Sequence, residues 1–359
     1  MSDLQLSLLV IGAVVVGAVY FYNWTQERGL RRRMQQAFGD MPEDVLLKGG
    51  VESALADGRL EPQLVPAEPA REAPGAAPEG AAGEVPPPAG LDPVLDYFAE
   101  IDAGTPIPDA AIGELTGKLS ACGKPVHIVG RDARSGAWEE VRARGGRYTA
   151  LRPSLQLVNR SGAVSAAQLG IFCDAVRGCA ARVGAGATCP DTQAALKSGR
   201  DLDAFCAEVD VAVGFNVVAA EGAGFPGPRI RAAAESAGFK LEPDGVFHFR
   251  GEQRQTLFTL DNHEPAPFLP ESIKGLSTQG ITLLMDVPRV ARGAEVLDRM
   301  LETARQLAAA LGGSLVDDNR AALSDAGIAR IKDQVRSIHA KMDLHGIPAG
   351  GARALRLFS

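Results

Sequence analysis

The stretch Gly280-Ile-Thr-Leu-Leu-Met-Asp-Val-Pro288 decides the fold of this chain. Large apolar residues occupy every second position, and this period of two predicts a β-strand with one buried face and one open face. Pro288 has no amide proton to donate to a neighbouring strand, so it ends the strand. The predicted inward residues are Ile281, Leu283, Met285 and Val287, and the open-face residues are Thr282, Leu284 and Asp286.

The residues after this strand change to a helical period. From Glu295 to Leu311, apolar residues recur every three to four positions and charged residues lie off that stripe, which predicts an amphipathic helix covering a sheet. Gly312-Gly313 is a typical helix stop. Ser314–Asn319 is predicted as a short strand, and a further helix is predicted from about Ser324, a good N-cap. This strand–helix–strand–helix unit needs a larger sheet to pack against.

The composition favours folded domains without a metal site. The chain has 359 residues, 46% of them hydrophobic, so it has room for two ordinary domains with real cores. Its formal net charge of −7 argues against a broad nucleic-acid-binding surface. The five cysteines form no C-x-x-C pair, which predicts free, mostly buried thiols in a reducing compartment. The five histidines form no metal motif, so we expect neither a metal nor a cofactor.

An apolar, uncharged run from Leu4 to Trp24 predicts a transmembrane helix, because about 20 residues span a bilayer. A cleaved signal peptide is the alternative, but it requires a basic start and a small-residue cleavage site, and Asp3 is the only charge before the run. The aromatic end, Tyr20 to Trp24, suits a membrane interface. Arginines follow directly at 28 and 31–33, so we expect a retained anchor with a periplasmic N-terminus and a cytoplasmic remainder.

The next segment reads as a spacer. Residues 34 to about 60 contain one weak helical pattern near Val51–Leu60. From Glu61 to Pro93 the chain is rich in Pro, Ala, Glu and Gly, a composition that buries too little apolar surface to fold. The predicted layout is therefore an anchor, a disordered Pro/Ala-rich linker and a cytoplasmic globular part.

The globular part shows an internal repeat with an offset that drifts from about 118 to about 128 residues. Each copy reads β-α-β-β-β-α-β-α, which predicts an α+β fold in which antiparallel sheets are covered by helices on one face. The matched pairs are Val94–Ile101 with Val211–Val218, Ile112–Ala121 with Ile230–Ala237, Val126–Val129 with Val246–Phe249, Trp138–Val141 with Leu257–Leu260, and Leu155–Val158 with Ile281–Leu284.

A glycine-rich motif allows two interpretations, a nucleotide-binding loop or an ordinary loop. Gly222-Ala-Gly-Phe-Pro-Gly227 follows a predicted strand and precedes a helix, the context of a dinucleotide-binding loop. Pro226 and Pro228 lack the N–H groups that would bind phosphate, and the residues after the helix predict an antiparallel hairpin instead of the next parallel strand. We therefore favour an ordinary loop with proline near the helix start, and a nucleotide-binding enzyme remains a remote alternative.

Other motifs carry little functional information. The sequence contains no nucleophile elbow, Walker A or H-E-x-x-H motif, so we do not expect an enzyme. Asp317-Asp318 is interpreted as a strand-end turn, and Arg160, Arg177 and Arg182 as solvated charges. The end, Ala352–Phe358, is interpreted as a frayed terminus, with a small membrane- or partner-binding piece as the alternative.

Three motifs in the second repeat resemble the ZipA family of bacterial cell-division proteins. They are Leu257-Phe-Thr-Leu-Asp-Asn262, Ser277-Thr-Gln-Gly-Ile-Thr-Leu-Leu-Met-Asp-Val-Pro288 and Gly312-Gly-Ser-Leu-Val-Asp-Asp-Asn-Arg320, in this order and behind an N-terminal anchor. The resemblance covers the anchor, the linker and about residues 209–342. It implies a split β-α-β domain whose open sheet face binds the C-terminal peptide of FtsZ, the tubulin-like ring protein, without catalysis. The first repeat shares it only through the duplication.

The resemblance places the binding site on the residues that alternate with the core. By position, the implied partner-binding residues are Ala212, Gly214, Asn216, Val246, His248, Leu257, Thr259, Asp261, His263, Thr282, Leu284 and Asp286.

This face departs from the shallow apolar groove that the family implies. His263 and Asp261 stand where methionine and alanine are expected, and Leu284 replaces a phenylalanine. Fewer large apolar residues predict a weaker binding hot spot. Three outcomes are open: the peptide binds through more polar contacts, the partner peptide is a different one, or another face of the domain binds it. The competing interpretation is that these residues form an ordinary solvated sheet face.

These observations define the expected organisation. We expect an anchor at residues 1–27, a juxtamembrane segment and linker at 28–90, a divergent repeat at 91–208, the FtsZ-binding domain at 209–342 and a tail at 343–359. The expected function is tethering of FtsZ filaments to the inner membrane. The alternative is a membrane-anchored adaptor that binds a different peptide.

Overall fold

The structure, a computed structural model, describes residues 91–142, 145–317 and 321–359. The predicted anchor and linker lie outside these ranges. In the part of the chain that is described, no helix is both long enough and apolar enough to cross a membrane.

The described residues form two six-stranded sheets, one after the other along the chain, and two short two-stranded ones. The N-terminal elements are β1 (Asp96–Phe98), β2 (Glu100–Asp102), α1 (Asp109–Ser120), β3 (Val126–Asp132), β4 (Trp138–Glu140), β5 (Tyr148–Gln156), β6 (Val158–Asn159), β7 (Gly162–Ala163), α2 (Ala166–Val183), β8 (Gly186–Thr188) and α3 (Thr192–Val209). The C-terminal elements are β9 (Ala212–Val218), β10 (Phe225–Pro226), α4 (Gly227–Ser236), β11 (Phe239–Leu241), β12 (Phe247–Arg250), β13 (Thr256–Asn262), β14 (Ser277–Thr278), β15 (Gly280–Asp286), α5 (Gly293–Leu311), β16 (Ser314–Val316), α6 (Asp325–Leu344) and α7 (Ala352–Leu357).

The stretch that decides the fold behaves as predicted. In β15, Ile281, Leu283 and Met285 are fully buried, whereas the residues between them are partly exposed. The helix α5 contacts β15 and β9, and Gly312 ends it in the left-handed conformation with φ of 72°. Ser324 caps α6 by accepting a hydrogen bond from the amide of Gly327. The α+β fold class with antiparallel sheets is confirmed.

Both sheets contain a split β-α-β arrangement. In the second sheet the strand order is β11-β12-β13-β15-β9-β16, and α5 connects the two strands that flank β9. In the first sheet the order is β4-β3-β5-β2-β8. The two strands that flank β2 are joined through the β6–β7 hairpin and α2, and β1 also pairs with β5. All these pairings are antiparallel.

The predicted strand correspondence is wrong at one edge of the sheets. The sequence matched residues 126–129 with 246–249, yet β3 lies next to β5, the place that β13 holds next to β15. After α1 the chain enters the sheet beside its long strand and then moves outward to β4. After α4 it enters at the edge through an additional strand, β11, and moves inward. The main sheet of the second half therefore has six strands, one more than the predicted pattern.

The cores explain most of the apolar pattern. In the second half, Phe249 stacks on Phe258 with ring centroids 4.5 Å apart, and α4 packs against both α5 and β11. In the first half, Tyr97 meets Phe172 of α2 edge-on at 5.6 Å. The cysteines are free and all are buried except the half-buried Cys189, as predicted.

The two halves are in contact through their helices. Phe205 of α3 stacks on His345 at 4.2 Å, and Glu208 of α3 forms an ion pair with Lys341 of α6. The direct connection from α3 to β9 leaves only Asp210 and Val211 between them. The two halves thus share an apolar and charged contact.

The C-terminal segment is not frayed, so this interpretation is wrong. Residues 352–357 form α7, and Ala354, Leu357 and Phe358 are each at most 1% exposed. Arg356 binds Asp96 of β1, on the face of the first sheet opposite α2. Helices are therefore not confined to one face of the first sheet. A six-residue helix has too few turns for a recognisable apolar period, which explains the error.

Candidate functional site

The predicted partner-binding residues share one face of the second sheet, which we call the open face. It is the side of β9, β12, β13 and β15 turned away from α4 and α5. Leu284 lies opposite both Thr259 and Gly214 in the strand register. In the next row, Thr282 lies opposite both Asp261 and Asn216. Because side chains alternate across a strand, these two rows point to the same side of the sheet.

The remaining predicted residues border these rows. His248 lies opposite Thr259, and Asp286 lies opposite Ala212. His263 follows β13 directly, and its Nδ1 is 3.3 Å from the Thr282 hydroxyl. Val246 precedes β12 and Leu257 lies within β13. The structure therefore brings most of the predicted residues together on one surface, whereas Leu257 joins the core cluster beside a register shift between β12 and β13. The binding role of all of them stays a prediction.

Apolar contact area on the open face is small. Leu284 and Val246 are half-buried, whereas Leu257 and Ala212 are already buried, at 9% and 7% exposure. Gly214, the register partner of Leu284, has no side chain, so this pair presents a single side chain on the open face. Leu284 is therefore the principal apolar contact that a ligand could gain at the centre of this face.

A polar row crosses the open face next to Leu284. The Thr282 hydroxyl donates to Oδ1 of Asn216 at 2.7 Å, and His263 reaches the same hydroxyl. On β13, the Thr259 hydroxyl donates to Oδ2 of Asp261 at 3.1 Å. Burial raises the pKa of the Asp261 carboxyl, and the hydroxyl of Thr259 and the charge of His248 partly offset this rise. The row offers a ligand hydrogen-bonding groups rather than an apolar surface.

His248 is held in place by its neighbours. Its Nδ1 lies 3.1 Å from the hydroxyl of Thr256, and its Nε2 lies 2.9 Å from Oδ2 of Asp244. Because both ring nitrogens have hydrogen-bond partners, the imidazole is held in one orientation on β12, at the edge of the open face.

At the other end of the open face, a side chain of the first half contacts Asp286. Arg160, from the loop between β6 and β7, donates from Nη2 to Asp286 at 2.7 Å and to Asp210 at 2.8 Å. Burial raises the pKa of the Asp286 carboxyl, and the guanidinium of Arg160 opposes that rise. Asp286 is thus engaged by a cation of the protein itself, which it shares with Asp210.

This ion pair corrects the interpretation of Arg160 as a solvated charge. Its side chain is only 24% exposed. The other two arginines agree better with that interpretation: Arg177 is 63% exposed beside Asp174, and Arg182 is 42% exposed in an ion pair with Glu114. The Asp317 carboxylate accepts a hydrogen bond from the amide of Ala321, and Asp318 lies outside the described residues.

Two further residues of the open face were missed. Val218 lies two residues after Asn216, and Gly280 lies two residues before Thr282, opposite Val218. A Cβ at Gly280 would lie 3.3 Å from Cβ of His263 and 3.5 Å from Val218. Strict alternation along both strands would have identified both residues.

The glycine-rich motif serves packing. A Cβ at Gly227 would lie 2.0 Å from the carbonyl oxygen of Ile273, and one at Gly224 would lie 2.6 Å from the hydroxyl of Ser277. The Gly227 amide, at the start of α4, already donates to the carbonyl of Leu276 at 2.8 Å. A neighbouring segment thus fills the place that a dinucleotide phosphate would need, which supports the loop interpretation.

Comparison with known families bears on the second half. Residues 211–334 match the family model described as ZipA, C-terminal FtsZ-binding domain. The second half carries a ZipA C-terminal domain. All predicted partner-binding residues lie inside the matched range.

Curated relatives agree with this identification. The chain is 30% identical over 131 residues to the cell division protein ZipA of Marinobacter nauticus, covering 35% of this chain and 38% of that protein. It is 28% identical over 143 residues to ZipA of Ectopseudomonas mendocina (39% and 52%) and 34% identical over 114 residues to ZipA of Shewanella loihica (31% and 34%). The chain thus spans about a third to a half of the length of these ZipA proteins.

Proposed function

We propose that this chain is a cell-division protein that tethers FtsZ filaments to the cytoplasmic membrane by binding the FtsZ C-terminal peptide on its open face. The observation that carries the proposal is the match of residues 211–334 to a domain family described as FtsZ-binding. The open face supports it, because it is the side of the matched sheet that α4 and α5 leave uncovered.

The proposed layout follows the sequence. Residues 1–27 anchor the chain in the inner membrane with a periplasmic N-terminus, and residues 28–90 form the linker. Two tandem split β-α-β domains follow at 91–208 and 209–342 on the cytoplasmic side. A flexible linker keeps the second domain near the membrane, and a polymeric partner multiplies weak contacts by avidity.

The proposed contacts follow from the two rows of the open face. An apolar side chain of the peptide packs on Leu284 and against the backbone of Gly214. Polar groups of the peptide hydrogen-bond to His263 and to Asp261 in the adjacent row. One dominant apolar contact predicts modest affinity for a single peptide, since a few central residues supply most binding energy.

Peptide binding to residues 91–359 tests the proposal. A labelled FtsZ C-terminal peptide is titrated against the unaltered protein, Leu284→Glu and Leu344→Glu by fluorescence anisotropy. Leu344 is 87% exposed and lies outside the open face, so its variant controls for the added charge. We expect Leu284→Glu to weaken binding at least about tenfold, the equivalent of about 1.4 kcal/mol, and Leu344→Glu to bind normally. Equal binding by all three proteins would remove the peptide from the open face.

A second candidate function is an adaptor for a different divisome or envelope peptide. It is favoured by the polar row of Asp261, Thr282 and His263, because covering these polar side chains with a largely apolar peptide removes them from water without adding hydrogen bonds. The same titration with the C-terminal peptide of FtsZ from the same cell separates the two functions. No binding of that peptide, together with binding of a more polar divisome peptide that is sensitive to Leu284→Glu, would favour the adaptor.

A further inference from the structure

The C-terminal segment of the chain, Gly350–Ser359, lies on the first sheet like a bound peptide. The hydroxyl of Tyr97 in β1 is 3.4 Å from Sγ of Cys173 in α2, so Tyr97 faces the helices. Its neighbour Asp96 therefore faces the opposite side, together with its register partner Gln156. The segment occupies this side, which corresponds to the open face of the second sheet.

Two arginine–carboxylate forks hold the segment. Arg356 binds Asp96 through Nη1 at 3.1 Å and through Nη2 at 2.5 Å. Arg353 binds Asp92 through Nε at 2.6 Å and through Nη2 at 3.1 Å. The Asp96 side chain is fully buried in this arrangement. Two-pronged pairs of this kind fix direction and register as well as contributing energy.

The protein also contacts the backbone and the apolar side chains of the segment. Gln156 donates from Nε2 to the carbonyl of Arg356 at 3.1 Å. Ala354 is fully buried, and Leu357 and Phe358 are 1% exposed. The recognition elements are thus two arginines three residues apart and the Leu-Phe pair that follows.

The connection between α6 and this segment is short and reverses the direction of the chain. Only seven residues separate α6 from α7. Among them, Gly346 and Gly350 have φ of 66° and 72°, a conformation that glycine adopts without strain. The Gly350 amide donates to the carbonyl of Pro288 at 2.9 Å, so the turn passes over the second half. Beyond this turn, the segment packs on β6 and on the short helical turn Val287–Arg289, and its two arginines bind Asp92 and Asp96.

We propose that the end of the first sheet is a peptide-binding site, formed by Asp92, Asp96 and Gln156, whose resident ligand is the chain's own C-terminal segment. The site takes peptides of the pattern Arg-x-x-Arg-Leu-Phe. It is distinct from the open face and does not depend on FtsZ binding. A free peptide of the same chemistry competes with the resident segment, because Asp96 requires a guanidinium partner in either case.

Competition in the full chain tests the site. The chain is kept in detergent micelles, and the probe is a labelled peptide of residues 346–359. In a variant with Arg353→Ala and Arg356→Ala, the segment loses both forks while the sheet keeps its carboxylates. We expect this variant to bind the probe at least tenfold more tightly than the unaltered chain, whose site is filled. Adding Asp96→Asn to the variant is expected to abolish this gain.

Control experiments distinguish specific recognition of the probe from non-specific binding. A probe with alanine at both arginine positions is expected not to bind. Equal binding of the probe by the unaltered chain and the double variant would overturn the proposal. Protection of Tyr148–Gln156 from hydrogen exchange shows that the double variant is still folded in that comparison.

Hydrogen exchange on the unaltered chain keeps the proposal testable if the double variant unfolds. A ligand-like segment is expected to open locally, so the amides of Leu355 and Phe358 exchange well before those of β5. Exchange of α7 only together with β5 would make the segment an inseparable part of the core and would contradict the proposal.

Discussion

Arg160 joins the two halves, and its replacement gives a measurable loss of stability. The guanidinium is the partner of two carboxylates, Asp210 at 2.8 Å and Asp286 at 2.7 Å. Their side chains are only 13% and 30% exposed. Arg160→Met keeps the apolar stem but leaves both carboxylates without this cation.

The expected magnitude follows from the contacts. Each hydrogen bond to a charged group contributes about 1.5–3 kcal/mol. Breaking a buried pair costs about 3–5 kcal/mol, and the partial exposure of Asp286 places the cost near the lower limit. We therefore expect a loss of about 3 kcal/mol, which shifts a urea midpoint by about 1 M for an m-value near 3 kcal/mol/M.

Acid should reduce this loss. Burial already raises the pKa of the Asp286 carboxyl, and the variant removes the guanidinium that opposes the rise. A carboxyl whose pKa is higher in the folded state than in the unfolded state takes up its proton first in the folded state. Protonation therefore favours folding, and the deficit of Arg160→Met shrinks as the pH falls toward that raised pKa.

Urea unfolding of residues 91–359 at pH 7 and at pH 5 is the assay. Arg177→Met is the matched control, because Arg177 is 63% exposed and its loss should change stability by less than about 0.5 kcal/mol. Asp286→Asn in the Arg160→Met background should restore part of the stability. Equal midpoints for Arg160→Met and Arg177→Met, or a deficit that stays constant with pH, would refute the reasoning.

Four further substitutions test other parts of the structure. Asp261→Asn should raise stability at pH 7 and lose that advantage on acidification, because burial raises the pKa of this carboxyl; thermal unfolding at two pH values checks the sign. Gly227→Ala should cost about 1–3 kcal/mol through its clash with the carbonyl of Ile273. Gly113→Ala, in an open part of α1, should stabilise by up to about 1 kcal/mol, and urea midpoints compare the two. Ser165→Ala should cost about 1 kcal/mol by removing the capping box of α2, a change readable in the same assay.

Local periodicity explains what the sequence could predict. The alternation around Leu283 and the stripe of α5 each arise within one element, so β15 and its covering helix could be identified directly. The residues of the open face follow from the same alternation, and Val218 and Gly280 would have followed from applying it further along the strands. Whether this face binds a peptide stays a prediction, because alternation identifies a surface and not its ligand.

Contacts between distant segments explain what the sequence could not predict. The partners of Arg160 lie 50 and 126 residues away, and no local pattern distinguishes it from the exposed Arg177. Arg356 meets Asp96 across 260 residues. The position of β3 beside β5 depends on where the chain enters the sheet after α1, which local hydrophobicity does not encode.

Chemical-shift mapping on labelled residues 91–359 tests the central claim most directly. On addition of the FtsZ C-terminal peptide, we expect the largest shifts at Gly214, Thr282 and Leu284, with the strands of the first sheet unchanged. A saturating peptide that instead shifts residues around Asp96, or leaves the open face unshifted, would contradict the account.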